Sequence, residues 1–162
     1  MKFKISCLLF IKNQHDQILM LQRRKSPNRG FWSPPGGKLN MEEGESPFEC
    51  ARREALEETG MCLRNRDLYL FGYVSEKNYE GNDHWLMFLF ESLIIIDQKP
   101  PSFDEGTYDF FSRHQIDLLD IPPSDAELIW PFYDRRKVGF WGINADCETG
   151  KPKLMIEASP EV

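Results

Sequence analysis

Three glutamates, Glu54, Glu57 and Glu58, have the spacing that places side chains on one face of a helix. Carboxylates that share a helix face repel one another and weaken an isolated helix by roughly 0.2–0.5 kcal/mol per pair. A hard divalent cation relieves this repulsion, and Mg²⁺ suits carboxylates that are shared with phosphates. The spacing therefore indicates a site for Mg²⁺, with Mn²⁺ as the alternative cation.

A cluster of acids on a helix can also be a solvated surface without further function. Arg53 could pair with Glu49 or Glu57 at four-residue spacing, but one guanidinium is not expected to serve three carboxylates. The acids lie in the C-terminal half of the predicted helix, where the helix dipole disfavours each of them by roughly 0.3–1 kcal/mol. This unfavourable placement favours a functional interpretation.

The helix that presents these acids is predicted over residues 46–59, with clear signals at both ends. Ser46 is a natural N-cap, Pro47 suits the first helical position, and Glu49 completes a capping box. Gly60 stands where a left-handed residue commonly ends a helix. The glutamates are therefore expected on a helix whose start and end are fixed by its own sequence.

The segment resembles the Nudix box. This pattern is a glycine, five residues, a glutamate, seven residues, and then Arg-Glu-apolar-x-Glu-Glu-x-Gly-apolar. Glu45 is followed by seven residues and then by Arg-Glu-Ala-Leu-Glu-Glu-Thr-Gly-Met over residues 53–61, which matches the second half in full. Seven residues rather than five separate Gly37 from Glu45, so the box is placed at about residues 37–61 with a two-residue insertion in 38–44. A surface loop absorbs such an insertion at little cost.

The resemblance to the Nudix hydrolases implies a role for each matching residue. It implies an orienting salt bridge between Arg53 and Glu45, and it makes Arg53 one of the catalytic residues. The Gly36 carbonyl would be a metal ligand together with the carboxylates of Glu54, Glu57 and Glu58.

Glu105 is a further candidate for catalysis and for metal binding. It resembles a glutamate that oxidised-purine nucleoside triphosphatases of this family place about five residues before an aromatic residue. Its alternative interpretation is an ordinary loop acid. The general base is expected among Glu57, Glu58 and Glu105, and the sequence leaves the choice open.

The substrate is expected to contact residues on both sides of the Gly-Gly pair. Arg23 and Lys38 are candidate phosphate ligands, although a lone basic residue is often only a solvated surface group. Trp32 and Ser33 resemble the Trp-Asn before Gly-Gly in oxidised-purine triphosphatases, although an aromatic residue is often only part of the core. Asp125 falls where an acid reads the base edge in that group, or it is a first-turn acid beside a Ser124 cap.

The remaining elements predict a single α/β domain over residues 1–162, with a mixed β-sheet. Apolar runs predict a β-hairpin over 3–11 and 17–24, strands over 67–76, 84–96 and 107–111, and a closing hairpin over 138–146 and 152–157. Residues 26–37 are expected to form an irregular loop. Capping boxes at Ser112 with Gln115 and at Ser124 with Glu127 predict two helices. The resemblance implies a Nudix-type α/β/α sandwich.

Composition narrows the classes of partner. The net charge of −6 argues against binding a nucleic-acid polymer through a broad basic face. The apolar runs are too short for a membrane span, and the N-terminal run is expected to be a first strand rather than a signal peptide. The four cysteines follow no regular spacing, so free thiols and a cytoplasmic location are expected.

The leading hypothesis is a pyrophosphohydrolase that converts a nucleoside triphosphate, such as 8-oxo-dGTP, to the monophosphate and pyrophosphate. Alternatives with the same chemistry are the hydrolysis of nucleoside diphosphate sugars, dinucleoside polyphosphates or 5′-triphosphorylated RNA ends. A non-catalytic module that senses a small nucleotide is the alternative of another class, and the intact acidic set argues against it. Since many family members are dimers, a homodimer is a further expectation.

Overall fold

The computed structural model of the protein describes residues 2–26 and 28–160, apart from the side chain of Glu80. Its strands are β1 (Phe3–Phe10), β2 (Ile18–Arg23), β3 (Trp32–Ser33), β4 (Gly36–Lys38), β5 (Leu68–Glu80), β6 (Asp83–Ser92), β7 (Gly106–Phe111), β8 (Trp141–Asp146) and β9 (Lys153–Ala158). A six-stranded mixed sheet has the order β4-β1-β6-β5-β8-β9, and a three-stranded antiparallel sheet has the order β3-β2-β7. The helices are α1 (Pro47–Thr59), α2 (Arg113–Ile116), α3 (Pro123–Leu128) and α4 (Trp130–Asp134).

The large sheet is covered on both faces because its central strands are apolar on both faces. In β1, Cys7 and Leu9 pack into a cluster with α1, whereas Phe10 packs into a second cluster with α3 and α4. This alternation follows the two-residue period of a strand. Strand β6 lies between β1 and β5, and so has no free edge. The predicted single α/β domain with a mixed sheet is confirmed, with helices on both sides of the sheet.

Helix α1 begins and ends where the sequence predicted. The Ser46 hydroxyl accepts a hydrogen bond from the Glu49 amide, and the Glu49 carboxylate accepts one from the Ser46 amide at 2.8 Å. Gly60 ends the helix with a φ of 76°. Cys50, Ala51 and Ala55 are buried on the side of α1 that packs in the cluster with β1. Small side chains on this side let the helix lie close to the sheet.

The predicted hairpin over 3–11 and 17–24 is wrong, because its two strands belong to different sheets. Strand β1 pairs with β4 on one edge and with β6 on the other, so neither edge is free for β2. The two runs meet only in an isolated bridge between Lys12 and Ile18. Strand β2 instead pairs with β3 and β7.

Two further local predictions are corrected. The segment predicted as an irregular loop over 26–37 contains β3 and the start of β4, and its Pro27 lies outside the described residues. The capping box at Ser124 is absent because α3 begins at Pro123 with Pro122 at its N-cap, so the Ser124 hydroxyl lies inside the helix. The box formed by Ser112 and Gln115 is present. The closing hairpin is present as β8 and β9.

All four cysteines are free thiols. Over the described ranges, no helix has the length and apolar character needed to cross a bilayer.

The cap of α1 can be tested by substitution. We expect Ser46→Ala to lower the free energy of unfolding by about 1 kcal/mol, because the Glu49 amide loses its acceptor. The exposed Ser102 is the matched control, and Ser102→Ala should change the free energy of unfolding by no more than about 0.5 kcal/mol. Urea unfolding followed by circular dichroism measures both. Equal stabilities of the two variants would contradict the cap.

Candidate active site

The glutamate face of α1 lies against two glycines of β4, the edge strand of the large sheet. A Cβ atom on Gly37 would lie 2.1 Å from the Glu54 Oε1 atom. A Cβ atom on Gly36 would lie 2.1 Å from the backbone oxygen of Cys7. Since real Cβ atoms do not approach so closely, Gly36 requires glycine beside the Cys7 backbone, whereas a Cβ atom at Gly37 would displace the flexible end of the Glu54 side chain. The Gly-Gly pair therefore brings the acids of α1 to the edge of the sheet.

Arg53 holds this arrangement from the side of the helix. Its Nε atom donates to Glu45 at 3.0 Å, as the family resemblance implied, and its Nη2 atom donates to the Lys38 carbonyl at 3.0 Å. Its Nη1 atom donates to Glu54 at 2.8 Å and to Glu57 at 3.2 Å. Arg53 therefore bonds to two glutamates of the helix face, Glu54 and Glu57, while Glu58 keeps an oxygen without a partner among the described residues.

The inserted residues between Gly37 and Glu45 form an ordered turn. Residues Met41–Glu43 make one turn of 3-10 helix, which ends at Gly44 with a φ of 66°. The Asn40 amide donates to the Glu45 carboxylate at 3.1 Å. This bond and the ion pair with Arg53 fix Glu45, so the longer loop leaves the glutamate face in place.

A cavity of about 690 Å³ lies beside these acids, between the edge of the large sheet, the small sheet and α1. This volume is typical of small-molecule sites. Most of the residues predicted from the sequence line it, namely Arg23, Ser33, Gly36, Lys38, Glu54, Glu57, Glu58, Glu105 and Asp125. Arg53 is not among the described residues that line it, and lies behind Glu54 and Glu57.

Trp32 is placed elsewhere, and its prediction as a substrate contact is corrected. Its ring packs edge-on against Phe111 with the centroids 5.0 Å apart, and it joins the cluster under α3 and α4. Its backbone amide donates to the Asp120 carbonyl. Ser33, the next residue along the strand, lines the cavity instead.

The acids next to Gly36 lack sufficient compensating charge. Burial, together with the charges of Glu54 and Glu105, raises the pKa of Glu58 to about 9, and a hydrogen bond from the Gly36 backbone opposes the shift. Burial likewise raises the pKa of Glu54, and its bond with Arg53 opposes the shift. The buried Oε2 atom of Glu58 has no hydrogen-bond partner among the described residues.

These observations fit a divalent cation. The unpartnered Glu58 oxygen would be a ligand of such a cation, and the positive charge would offset the repulsion among the acids. Over the described part of the chain, no three His, Cys, Asp or Glu side chains are already gathered as a ligand set. Binding would therefore require side chains to rotate, and the Glu57 side chain, which is 59% exposed, has the freedom to do so.

A family model described as NUDIX domain matches residues 2–130 of the chain. The chain belongs to the Nudix hydrolase family. Members of this family act on phosphoanhydride bonds. The strand, glycine pair, loop and helix described above lie within the matched residues, and the cavity beside them is the candidate active site.

Two relatives and one solved structure are similar to this Nudix domain. An uncharacterized Nudix hydrolase of Bacillus subtilis, YvcI, is 32% identical over 115 residues, which cover 70% of each chain. The 8-oxo-dGTP diphosphatase of Haemophilus influenzae is 28% identical over 123 residues, which cover 74% of this chain and 83% of that protein. The crystal structure of a MutT protein from Bacillus halodurans has a TM-score of 0.71 at 23% identity and covers 97% of this chain and 99% of its own. At that identity the likeness shows the fold alone.

The Nudix cavity also contains Glu76 and Tyr79, which the sequence did not single out. Glu76 of β5 is 3% exposed and stands opposite Trp85 of β6, and both line the cavity together with Tyr79. Glu76 follows the buried Val74 at a two-residue interval, where the strand pattern expects another apolar side chain. A charged residue at this position of the strand was the signal in the sequence that could have identified Glu76 as a candidate site residue.

The two glycines of the Nudix cavity have different neighbours, which gives a paired test. We expect Gly36→Ala to lower the melting temperature clearly, because its Cβ would meet the Cys7 backbone and push β4 from β1. Gly37→Ala should lower turnover more than stability, because its Cβ meets the flexible end of Glu54. Thermal unfolding and hydrolysis assays separate the two effects. An equal loss of stability in both variants would refute this difference.

Proposed function

We propose that the protein is a Mg²⁺-dependent pyrophosphohydrolase that converts a nucleoside triphosphate to its monophosphate and pyrophosphate, with oxidised purine nucleotides such as 8-oxo-dGTP as the substrate class. The observation that carries this proposal is the glutamate face of α1, which lines a cavity of nucleotide size. The relative from Haemophilus influenzae, named as an 8-oxo-dGTP diphosphatase, supports the choice of substrate.

The acidic part of the cavity would hold the cation and the phosphates. The Gly36 carbonyl and the carboxylates of Glu54, Glu57, Glu58 and Glu105 are the proposed ligands of Mg²⁺, with Mn²⁺ as the alternative. A bound divalent cation would neutralise phosphate charge and make water a better nucleophile. Arg53 would keep Glu54 and Glu57 directed toward this part of the cavity through the bonds described above.

A carboxylate must accept the proton of the attacking water. Glu57, Glu58 and Glu105 all line the cavity and are the candidates for this general base. Glu105 reaches the cavity from the turn before β7, where its carbonyl accepts a hydrogen bond from the Arg24 amide at 2.9 Å. Glu105 therefore reaches the cavity from an element other than α1.

Two basic side chains in the cavity, Arg23 and Lys38, would bind the phosphates. Arg23 stands at the end of β2, and Lys38 stands at the end of β4 with its Nζ atom 5.7 Å from the centre of the Trp85 ring. Both line the cavity. They offset part of the repulsion between an acidic protein and an anionic ligand. Ser33 and Asp125 are proposed as further contacts to the nucleotide.

Catalysis is favoured over nucleotide sensing because of the electrostatic cost of the acids. A module that only binds an anionic nucleotide gains nothing from the half-buried carboxylates of Glu54 and Glu58 beside its phosphates. A homodimer and a cytoplasmic location stay predictions from the sequence.

A panel of substrates tests the proposal. It contains 8-oxo-dGTP, dGTP, an ADP-sugar, a dinucleoside polyphosphate and a 5′-triphosphorylated RNA oligonucleotide, each with Mg²⁺, and the products are separated by ion-exchange chromatography. We expect the triphosphates to give monophosphate and pyrophosphate. Cleavage of the sugar nucleotide alone would exclude the triphosphatase, and binding without cleavage of any compound would favour a sensor.

Substitution of single glutamates on α1 tests the proposed cation ligands. We expect Glu57→Gln and Glu58→Gln each to lower kcat by a factor of about 10² or more, because each removes a proposed cation ligand without changing the size of the side chain. Glu42 is exposed in the loop before α1, so Glu42→Gln should keep normal turnover. Circular dichroism checks that all three variants are folded. Normal turnover in both helix variants would refute their assignment.

A further inference from the structure

Strand β9 forms one edge of the six-stranded sheet, and its outer side pairs with no strand in the described part of the chain. Leu154, Met155 and Ile156 follow one another in this strand and are 40%, 62% and 45% exposed. An exposed apolar edge strand is a liability in a monomer, because its free amide and carbonyl groups pair readily with another strand. Strand β4, at the other end of the sheet, has only three residues and lies against α1. The edge of β9 therefore has the character of an interaction surface.

The exposed apolar side chains of this edge lie on both faces of the sheet. Ile156 stands opposite the buried Ile143 of β8, and Leu154 lies two residues away on the same face. Met155 lies on the opposite face. A helix or a loop covers only one face of a sheet, whereas an added strand continues the sheet and extends both faces. The partner that fits this edge is therefore another β-strand.

The charged residues of β9 make the strand complementary to itself. Lys153 and Glu157 stand two residues before and two residues after Met155, on the same face of the strand. A second copy of β9, placed antiparallel about a two-fold axis at Met155, would bring Lys153 of each copy opposite Glu157 of the other. The same register would bring Leu154 opposite Ile156. Opposite charges and apolar side chains that face each other stabilise paired strands, so this register fits every residue from 153 to 157.

The neighbours of the two charged residues within the chain leave them able to make these contacts. The Glu157 carboxylate accepts a hydrogen bond from the Tyr73 hydroxyl at 3.0 Å, and Lys153 stands opposite Asp146 of β8. Lys153 and Glu157 are both exposed, and an ammonium group and a carboxylate each make several hydrogen bonds. The register shift between β8 and β9 lies beyond Ile156, so the residues before it keep regular pairing.

We propose that two copies of the chain associate through β9, paired as antiparallel strands about a two-fold axis at Met155, so that their six-stranded sheets join into one. The expectation of a homodimer from the sequence named no surface, and the geometry of β9 supplies one. No residue of β9 lines the cavity, and β9 and β4 are opposite edges of the sheet. The association therefore leaves the cavity uncovered and does not depend on the proposed hydrolysis.

Sedimentation equilibrium tests the association. We expect the average mass of the wild-type protein to rise from 19.0 kDa toward twice that value as its concentration increases from about 1 µM to about 200 µM, because a short edge interface gives a weak dimer. Met155→Glu places like charges opposite each other and should raise the Kd of the dimer about tenfold or more. Leu118→Glu is the matched control, since Leu118 is an exposed apolar residue outside β9, and it should keep the wild-type Kd.

An exchange of charges tests the register of the two strands. Lys153→Glu and Glu157→Lys each place like charges opposite each other at both ends of the pairing, and each should raise the Kd about tenfold or more. An equimolar mixture of these two variants should associate with about the wild-type Kd. One variant is acidic at both positions and the other is basic at both, so opposite charges face each other again in the mixed dimer. Circular dichroism checks that every variant is folded.

Three results would overturn the proposed dimer. A wild-type mass of 19.0 kDa at every concentration would leave β9 to a strand of a different protein. A dimer that Met155→Glu does not weaken would have its interface elsewhere. A mixture of Lys153→Glu and Glu157→Lys that stays monomeric would exclude the pairing of charges. None of these measurements involves a nucleotide, so they stand or fall separately from the proposed function.

Discussion

Repulsion among carboxylates at the C-terminal half of α1 is the constraint on which the site depends. The helix dipole and the neighbouring acids both oppose ionised side chains there. The fold nevertheless holds the acids at the edge of the large sheet, by the close packing of α1 on two glycines and by the bonds of Arg53. Such an arrangement is stable only when positive charge balances it. Arg53 balances Glu45, Glu54 and Glu57, and leaves Glu58 with an unpartnered oxygen that a cation would complete.

The cavity has two regions that differ in their charged and aromatic side chains. Near α1, several acids and the cations Arg23 and Lys38 suit a cation bound with phosphates. Near β5 and α3, the buried carboxyl groups of Glu76 and Asp125 line the cavity together with Tyr79 and Trp85. The two sheets create this division because they meet beside β4, where the small sheet supplies Arg23 and the large sheet supplies Glu76.

The sequence predicted what depends on local chemistry and missed what depends on distant partners. The limits of α1 and its acids followed from capping signals and helical spacing, and these act over a few residues. The pairing of β1 with β2 was wrong because the partners of a strand are chosen across the whole chain, and β4 and β6 occupy both edges of β1. Trp32 was predicted to contact the substrate, but it packs in the core, because an aromatic side chain is suited both to a core and to a binding site. Glu76 was missed because a charged residue at an apolar position of the strand pattern does not by itself show that the side chain faces a cavity.

Anomalous diffraction from crystals soaked in Mn²⁺ tests directly whether the glutamate face of α1 binds a divalent cation. We expect an anomalous peak in the cavity within coordination distance, about 2.1 Å, of the Glu58 carboxylate and the Gly36 carbonyl. We also expect the peak to disappear in Glu58→Gln crystals soaked in the same way. A peak that persists in that variant, or wild-type crystals with Mn²⁺ bound only outside the cavity, would contradict the account.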